Sequence, residues 1–207
     1  MNTLLITPPL TQLNTPYPST AVLKGYLESV GHPVSQMDLG IELVCRLYTK
    51  EFITALFEKT APIKKSKKMK RIFDNKELYI QCVEPTIRFL QGKEKTLAPR
   101  IANRTLLPEG PRFDNLADME WAFGVSGIED KARYFATLFV EDIADYIREM
   151  ESPYFDLIKY AESLASNSYT FDELEIALNE EPCSVDRIML DLLKKKIEEE
   201  KAQTIGF

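Results

Sequence analysis

Three cysteines and a single histidine limit the chemistry open to this chain of 207 residues. Cys45, Cys82 and Cys183 lie far apart, which argues against a disulfide framework and against a local metal knuckle. Each falls in or beside a helical pattern, where a reduced thiol serves as a small hydrophobe. His32 follows Gly31 and reads as a surface turn residue. Without a second imidazole, most acid–base and metal constellations fall away, including the Glu-x-x-His pairs of di-iron bundles. Glu141, Asp142 and Asp145 put carboxylates one turn apart and, lacking a histidine partner, read as a solvated helix face. Asp38 is better placed, at the carboxyl end of a strand. An acid there holds a ribose hydroxyl in dinucleotide folds, but the glycine fingerprint that should precede it is missing, so a nicotinamide site is not expected. No catalytic residue and no metal ligand is assigned.

The run Lys64-Lys65-Ser66-Lys67-Lys68-Met69-Lys70-Arg71 packs six cations into eight residues. It is of a kind to hold RNA or an acidic partner. It has no interleaved aromatics for stacking on bases, and the formal net charge of the chain is −6, so a solvated helix end or loop is favoured and nucleic acid is not an expected partner. Trp121 and Phe123 read as core. No run approaches the ~18 apolar residues of a membrane helix. The amino terminus shows no basic region ahead of an apolar stretch, and a cytoplasmic location is expected.

The elements that must position these residues begin with a βαβ unit. Leu4-Leu5-Ile6 is a short apolar run of the kind buried in parallel sheets, stopped by Pro8 and Pro9. Ser19 is placed to cap a helix whose Val22, Leu23, Tyr26, Leu27 and Val30 share one face, and Gly31 suits the left-handed position that closes it. Val34 to Met37 then forms a second strand, which Asp38-Leu39 ends. From Leu39 to Lys201 nearly everything reads as helix. One stripe runs through Ile41, Val44, Cys45, Tyr48, Phe52 and Leu56. A helix from about Lys76 to Leu90 should bend or break near Pro85, and a shorter element spans Leu97 to Leu106. Ser126-x-x-Glu129 predicts a capping box ahead of the apolar face Ala132, Phe135, Ala136, Phe139, Ile143, Ile147 and Met150. Short helices over Phe155 to Leu164 and after the Thr170-x-x-Glu173 box precede a last one opened by Ser184. Gln203 to Phe207 looks like a third parallel strand, central Leu4 to Ile6 lying between it and the second. A sheet of so few strands leaves unpaired edges, so the chain is expected to be the N-terminal piece of a longer protein.

The double proline after the first strand, the Gly31-His32-x-Val34 turn and the Asp38-Leu39 that ends the second strand resemble the cobalamin-binding-like domain that precedes the barrel in many radical S-adenosylmethionine enzymes. Trp121 to Asp130, with the helix through Leu138, Asp142 and Ile147, is similar to an insertion in one branch of these proteins. The resemblance implies an α/β fold: a partial Rossmann-like parallel sheet over residues 1–40 and 202–207, with a large, mainly helical insertion at 41–201. It implies an accessory domain that covers the barrel and presents cofactor or substrate there. Cobalamin, S-adenosylmethionine and an iron–sulfur cluster are cofactors of the parent protein, and none has a complete site in this chain. The Asp-x-His-x-x-Gly stretch that ligates cobalt has no counterpart in Thr7 to Leu13, and the Cys-x3-Cys-x2-Cys loop is absent, so the barrel would follow Phe207 as the principal partner. Ligands of open α/β sheets sit at the carboxyl ends of strands, which makes Thr7, Pro8, Pro9, Leu10, Thr11, Asn14 and Asp38 the candidate cofactor-facing residues. The alternatives are a noncatalytic helical interaction module and a nucleic-acid-associated protein using residues 64–71.

Overall fold

The computed structural model describes residues 2–9, 13, 17–114, 116, 127–153, 155–157 and 172–207. It is an α/β protein with a three-stranded parallel sheet and mostly helical content, divided into two compact units. The sheet unit comprises residues 1–46 and 156–207, and the helical unit residues 47–155.

In the sheet unit, β1 (Thr3–Thr7) lies between β2 (Val34–Asp38) and β3 (Thr204–Gly206), as the sequence predicts. The register pairs Thr3 with Val34 and Thr7 with Asp38 on one side, and Thr3 with Thr204 on the other. Leu4, Ile6, Met37 and Leu39 form a buried core, against which Met189, Leu192, Leu193, Ile197 and Ala202 pack. Four of these come from a helix at Ser184–Glu200 whose spacing of three and four residues makes one apolar ridge. On the opposite face of β1, Leu5 is packed so closely over Gly206 that a side chain there would crowd its methyl group.

Helix α1 (Ser19–Ser29) ends as expected in a Schellman motif. Gly31, at φ +80°, lets its own N–H reach Glu28 O while His32 N–H reaches Leu27 O. Its start and its burial depart from expectation. Pro18 occupies the cap position in a helical conformation, so Ser19 is already inside the helix and no side chain caps it. The apolar face is exposed: Val22, Tyr26 and Val30 show 67%, 64% and 51% of their surface. Of that face only Leu27 is partly buried, together with Thr20 and Lys24, and Thr20 Oγ1 lies 3.4 Å from Thr7 Oγ1. Periodicity marks a stripe, and it does not say what covers it.

The single stripe over 39–56 resolves into two helices, α2 (Leu39–Leu47) and α3 (Lys50–Thr60). Thr49 breaks the run because its hydroxyl accepts Phe52 N–H at 3.2 Å and caps α3. The phase therefore resets, leaving Ile41 and Cys45 exposed while Tyr48, Phe52 and Leu56 are buried. Next come α4 (Lys67–Asp74), capped by Ser66, and α5 (Lys76–Leu90). α5 does not break at Pro85 but continues through it, with burial of Val83, Thr86 and Phe89 holding the helix despite the missing donor. A 3-10 turn at Lys95–Leu97, a short α6 (Ala98–Ala102) and a second turn at Pro111–Phe113, called the 3-10 turn below, lead to α7 (Ile128–Met150).

Helix α7 packs against α4, α5, α6 and the 3-10 turn, which makes it the centre of the helical unit. Its N-cap is Gly127 at φ +89°, with no side-chain cap hydrogen bond, and Glu129 accepts from Arg133; Ser126, the first residue of the expected capping box, lies outside the described residues. Trp121 and Phe123 also lie outside them, as do 158–164 and Thr170. Residues 155–157 are not helical. The chain continues with α8 (Asp172–Asn179) and α9 (Ser184–Glu200), the latter with Cys183 at its cap and Asp186 Oδ2 accepting Cys183 N–H at 3.0 Å.

Phe139 is fully buried and stacks on Tyr79 with ring centroids 5.1 Å apart. Phe139→Ala is expected to cost about 3–5 kcal/mol, read as a lowered midpoint in denaturant unfolding. Lys67→Ala, exposed on α4, is expected to leave that midpoint within about 0.5 kcal/mol. Equal shifts for both would mean that α7 is not the core helix.

Candidate functional site

The carboxyl edge of the sheet gathers four of the sequence-predicted site residues. Thr7 and Asp38 are paired across β1 and β2, and Pro8 and Pro9 continue directly from Thr7. Gly40 sits against this turn, its Cα so placed that a side-chain carbon would touch Pro9 Cα, Pro8 O and Asp38 Oδ1 at 3.4–3.6 Å. Leu10, Thr11 and Asn14 lie outside the described residues.

The polar groups of this edge have local work. Asp38 Oδ1 accepts Ile41 N–H at 2.9 Å and so caps α2, while the Thr7 hydroxyl is buried beside that of Thr20. His32 is exposed in the turn before β2, at the amino end of the strands, and the candidate edge is at the other end. These residues do not fit a corrin ligated through cobalt, because no imidazole reaches the edge and the carboxylate is committed to a helix cap. The cysteines do not fit a cluster site either. Cys45 is exposed, and Cys82 is buried with its Sγ donating to Leu106 O at 3.3 Å. Burial pushes the thiols of Cys82 and Cys183 up from their ordinary value, away from the thiolate a metal needs. Among the described residues no group of three or more His, Cys, Asp or Glu is arranged to hold a metal.

The strongest electrostatic feature lies in the helical unit, and it corrects the solvated-face reading of 141–145. Asp142 is fully buried. Its Oδ2 accepts Gly110 N–H and the Tyr79 hydroxyl, each at 3.1 Å, and its Oδ1 accepts Arg112 N–H at 3.0 Å. Every lone pair in use faces a donor, which is the condition for burying a carboxylate. Gly110 is pressed so close that a methyl group there would overlap both Asp142 Oδ2 and Tyr79 Oη. Burial pushes the Asp142 carboxyl up to about 6, against the pull of its three hydrogen bonds. Burial, reinforced by the Asp142 charge, raises Tyr79 far above its ordinary value and keeps its hydroxyl a donor. The position was detectable in the sequence: Asp142 follows Phe139 by three and Phe135 by seven, inside the apolar stripe.

Beside this buried centre, α4, the 3-10 turn and α7 enclose a cleft of about 600 Å³, lined by Lys68, Arg112, Tyr134, Thr137, Glu141 and Asp145 among others. Arg112 spans it. Its Nε and Nη2 donate to Asp145 Oδ2 and Oδ1 at 2.6 and 2.8 Å, and its Nη1 lies 3.6 Å from Glu141. Asp145 also pairs with Arg148. The hydrogen bonds it donates to Asp145 raise the Arg112 guanidinium above its ordinary value. A guanidinium so occupied braces the cleft. It is not poised to bind an anion, and among the described residues of the lining none is paired as nucleophile and base.

Two outcomes follow for this centre. Charging buried Asp142 is unfavourable, so its contribution to stability is present below the ordinary carboxylate value and is lost as pH rises through about 6. The difference in unfolding free energy between the wild type and Asp142→Asn should therefore shift toward the wild type by about 2–3 kcal/mol between pH 7 and pH 4. A difference that does not vary with pH would show the carboxylate to be hydrated. Gly110→Ala should cost about 3 kcal/mol or more in the same unfolding assay, because neither Asp142 nor Tyr79 has room to retreat.

No protein-family profile, no curated protein and no solved structure matches this chain.

Proposed function

We propose that this chain is the N-terminal, cobalamin-binding-like accessory domain of a radical S-adenosylmethionine enzyme, its sheet the opening part of a Rossmann-like fold and its helices an insertion. The observation that supports this best is the sheet edge. A central parallel strand runs straight into Pro8-Pro9, and the neighbouring strand ends in Asp38 directly beside that turn. In open parallel sheets this edge is where ligands and partner domains meet the fold.

The role is to cover the open end of a catalytic barrel and present cofactor or substrate to it. Radical chemistry belongs to the barrel, whose three thiolates hold the iron–sulfur cluster and whose open iron takes S-adenosylmethionine. This chain's own residues shape the edge: Pro8 and Pro9 stiffen the turn, and Asp38 fixes the start of α2 against it. A cytoplasmic location goes with this reading.

The test is the gene. Its reading frame beyond Phe207, or a neighbouring frame whose product co-purifies, should encode a Cys-x3-Cys-x2-Cys loop. The whole product, purified without oxygen, should show iron–sulfur absorption that bleaches on reduction. Absence of the triad from both overturns the proposal. Hydroxocobalamin mixed with the 207-residue chain is expected to separate from it on gel filtration. A coloured complex would show that the edge binds a corrin without the barrel.

A further inference from the structure

The basic run resolves into two kinds of cation. Lys65 Nζ donates to Thr60 O at 2.6 Å and Ile63 O at 2.9 Å at the end of α3, and lies 4.1 Å from the centre of the Phe73 ring. Arg71 turns back to Glu109 O at 3.0 Å and pairs with Asp114. Lys64, Lys67, Lys68 and Lys70 remain exposed, with no ion pair among the described residues.

Three of these four occupy the first turn or so of α4, which has no acidic residue there. Cations at a helix amino terminus oppose the dipole, and neighbouring ammonium groups repel one another, so the arrangement works against the helix that carries it. Two amides at this end have acceptors: Ser66 Oγ accepts Met69 N–H at 3.2 Å, and Glu149 accepts both Ser66 N–H and Ser66 Oγ–H. Met69 and Ile72 anchor the opposite face in the core, so the lysines are held outward on a fixed helix.

We propose that this lysine face of α4 is a docking surface for a short acidic protein segment. Charge complementarity selects an acidic partner, and the surroundings limit its size. Glu149 lies at the cap, Asp74 ends the helix, and Glu141 and Asp145 share the cleft with Lys68. A long duplex laid across the patch would press phosphates onto those carboxylates and onto a chain whose net charge is −6. A segment of a few Asp and Glu residues meets the four ammonium groups alone. The surface also offers no exposed aromatic on α4 for a base to stack on. This inference is independent of the accessory-domain reading, and either stands if the other fails.

The experiment is fluorescence anisotropy of the full chain with a fluorescein-labelled peptide of alternating Asp and Glu at low salt, with a duplex RNA of equal charge as the second probe. The peptide should bind, and added salt should weaken it. Lys67→Glu/Lys68→Glu/Lys70→Glu should weaken peptide binding by about tenfold or more, while Lys93→Glu/Lys194→Glu/Lys195→Glu, with the same change of charge elsewhere, should alter it by less than about twofold. Glutamates suit the first turn of a helix, so the α4 variant should melt no lower than the wild type. No peptide binding, equal weakening by the two triple variants, or tighter binding of the duplex RNA overturns the proposal.

Discussion

A parallel strand cannot be completed by a tight turn, and that constraint organises this chain. β1 takes one neighbour through the crossover of α1 and the other from residues 204–206, close to the far end of the sequence. Both junctions are secured by backbone devices. Gly31 closes α1 so that the chain can turn into β2, and Lys201, at φ 50°, does the same for α9 ahead of β3. Lys201 takes this left-handed conformation without the freedom of glycine, and its N–H reaches Glu198 O while that of Ala202 reaches Ile197 O. Ala202 then packs on the sheet core beside Ile197. With β1 placed between its neighbours, every strand ends at the same edge, and Thr7, Pro8, Pro9, Asp38 and Gly40 meet there.

Much of this architecture was legible because strands and caps leave local marks. Apolar runs bounded by proline gave away β1, and the switch from charged Lys194 to Lys201 to Thr204-Ile205-Gly206 marked β3. What stayed hidden depended on partners. The stripe of α1 was seen as a stripe, yet Val22, Leu23, Tyr26 and Val30 face solvent and only Leu27 of it is partly buried, beside Thr20 and Lys24. Thr49 looked like one more residue in a helical run, and only its bond to Phe52 N–H turned one helix into two. Pro85 carried a strong local preference that tertiary packing overrode.

The candidate site divides in the same way. The edge residues could be named from the strand ends alone, whereas the uses of their polar groups could not. Asp142 shows the opposite failure. Its charge suggested a solvated face, but its phase placed it with Phe135 and Phe139, and phase prevailed because Gly110, Arg112 and Tyr79 supply donors from two other segments. A buried carboxylate is tolerated when its hydrogen-bonding capacity is met, and donors distant in sequence are invisible to any local reading.

That carboxylate also explains why the cleft beside it is well formed. By accepting the backbone amides on either side of Pro111, Asp142 fixes the turn from which Arg112 reaches across to Asp145 and Glu141. Asp142 is held by neutral donors and the Arg112 guanidinium by Asp145 and Glu141, so the ensemble holds the shape of the cleft. The sheet edge follows the same rule, since Asp38 and Thr7 meet groups of their own chain. Polar residues are thus spent in both units on placing backbone. The lysines of α4 are the exception: they work against the helix that carries them, and the structure leaves them facing outward.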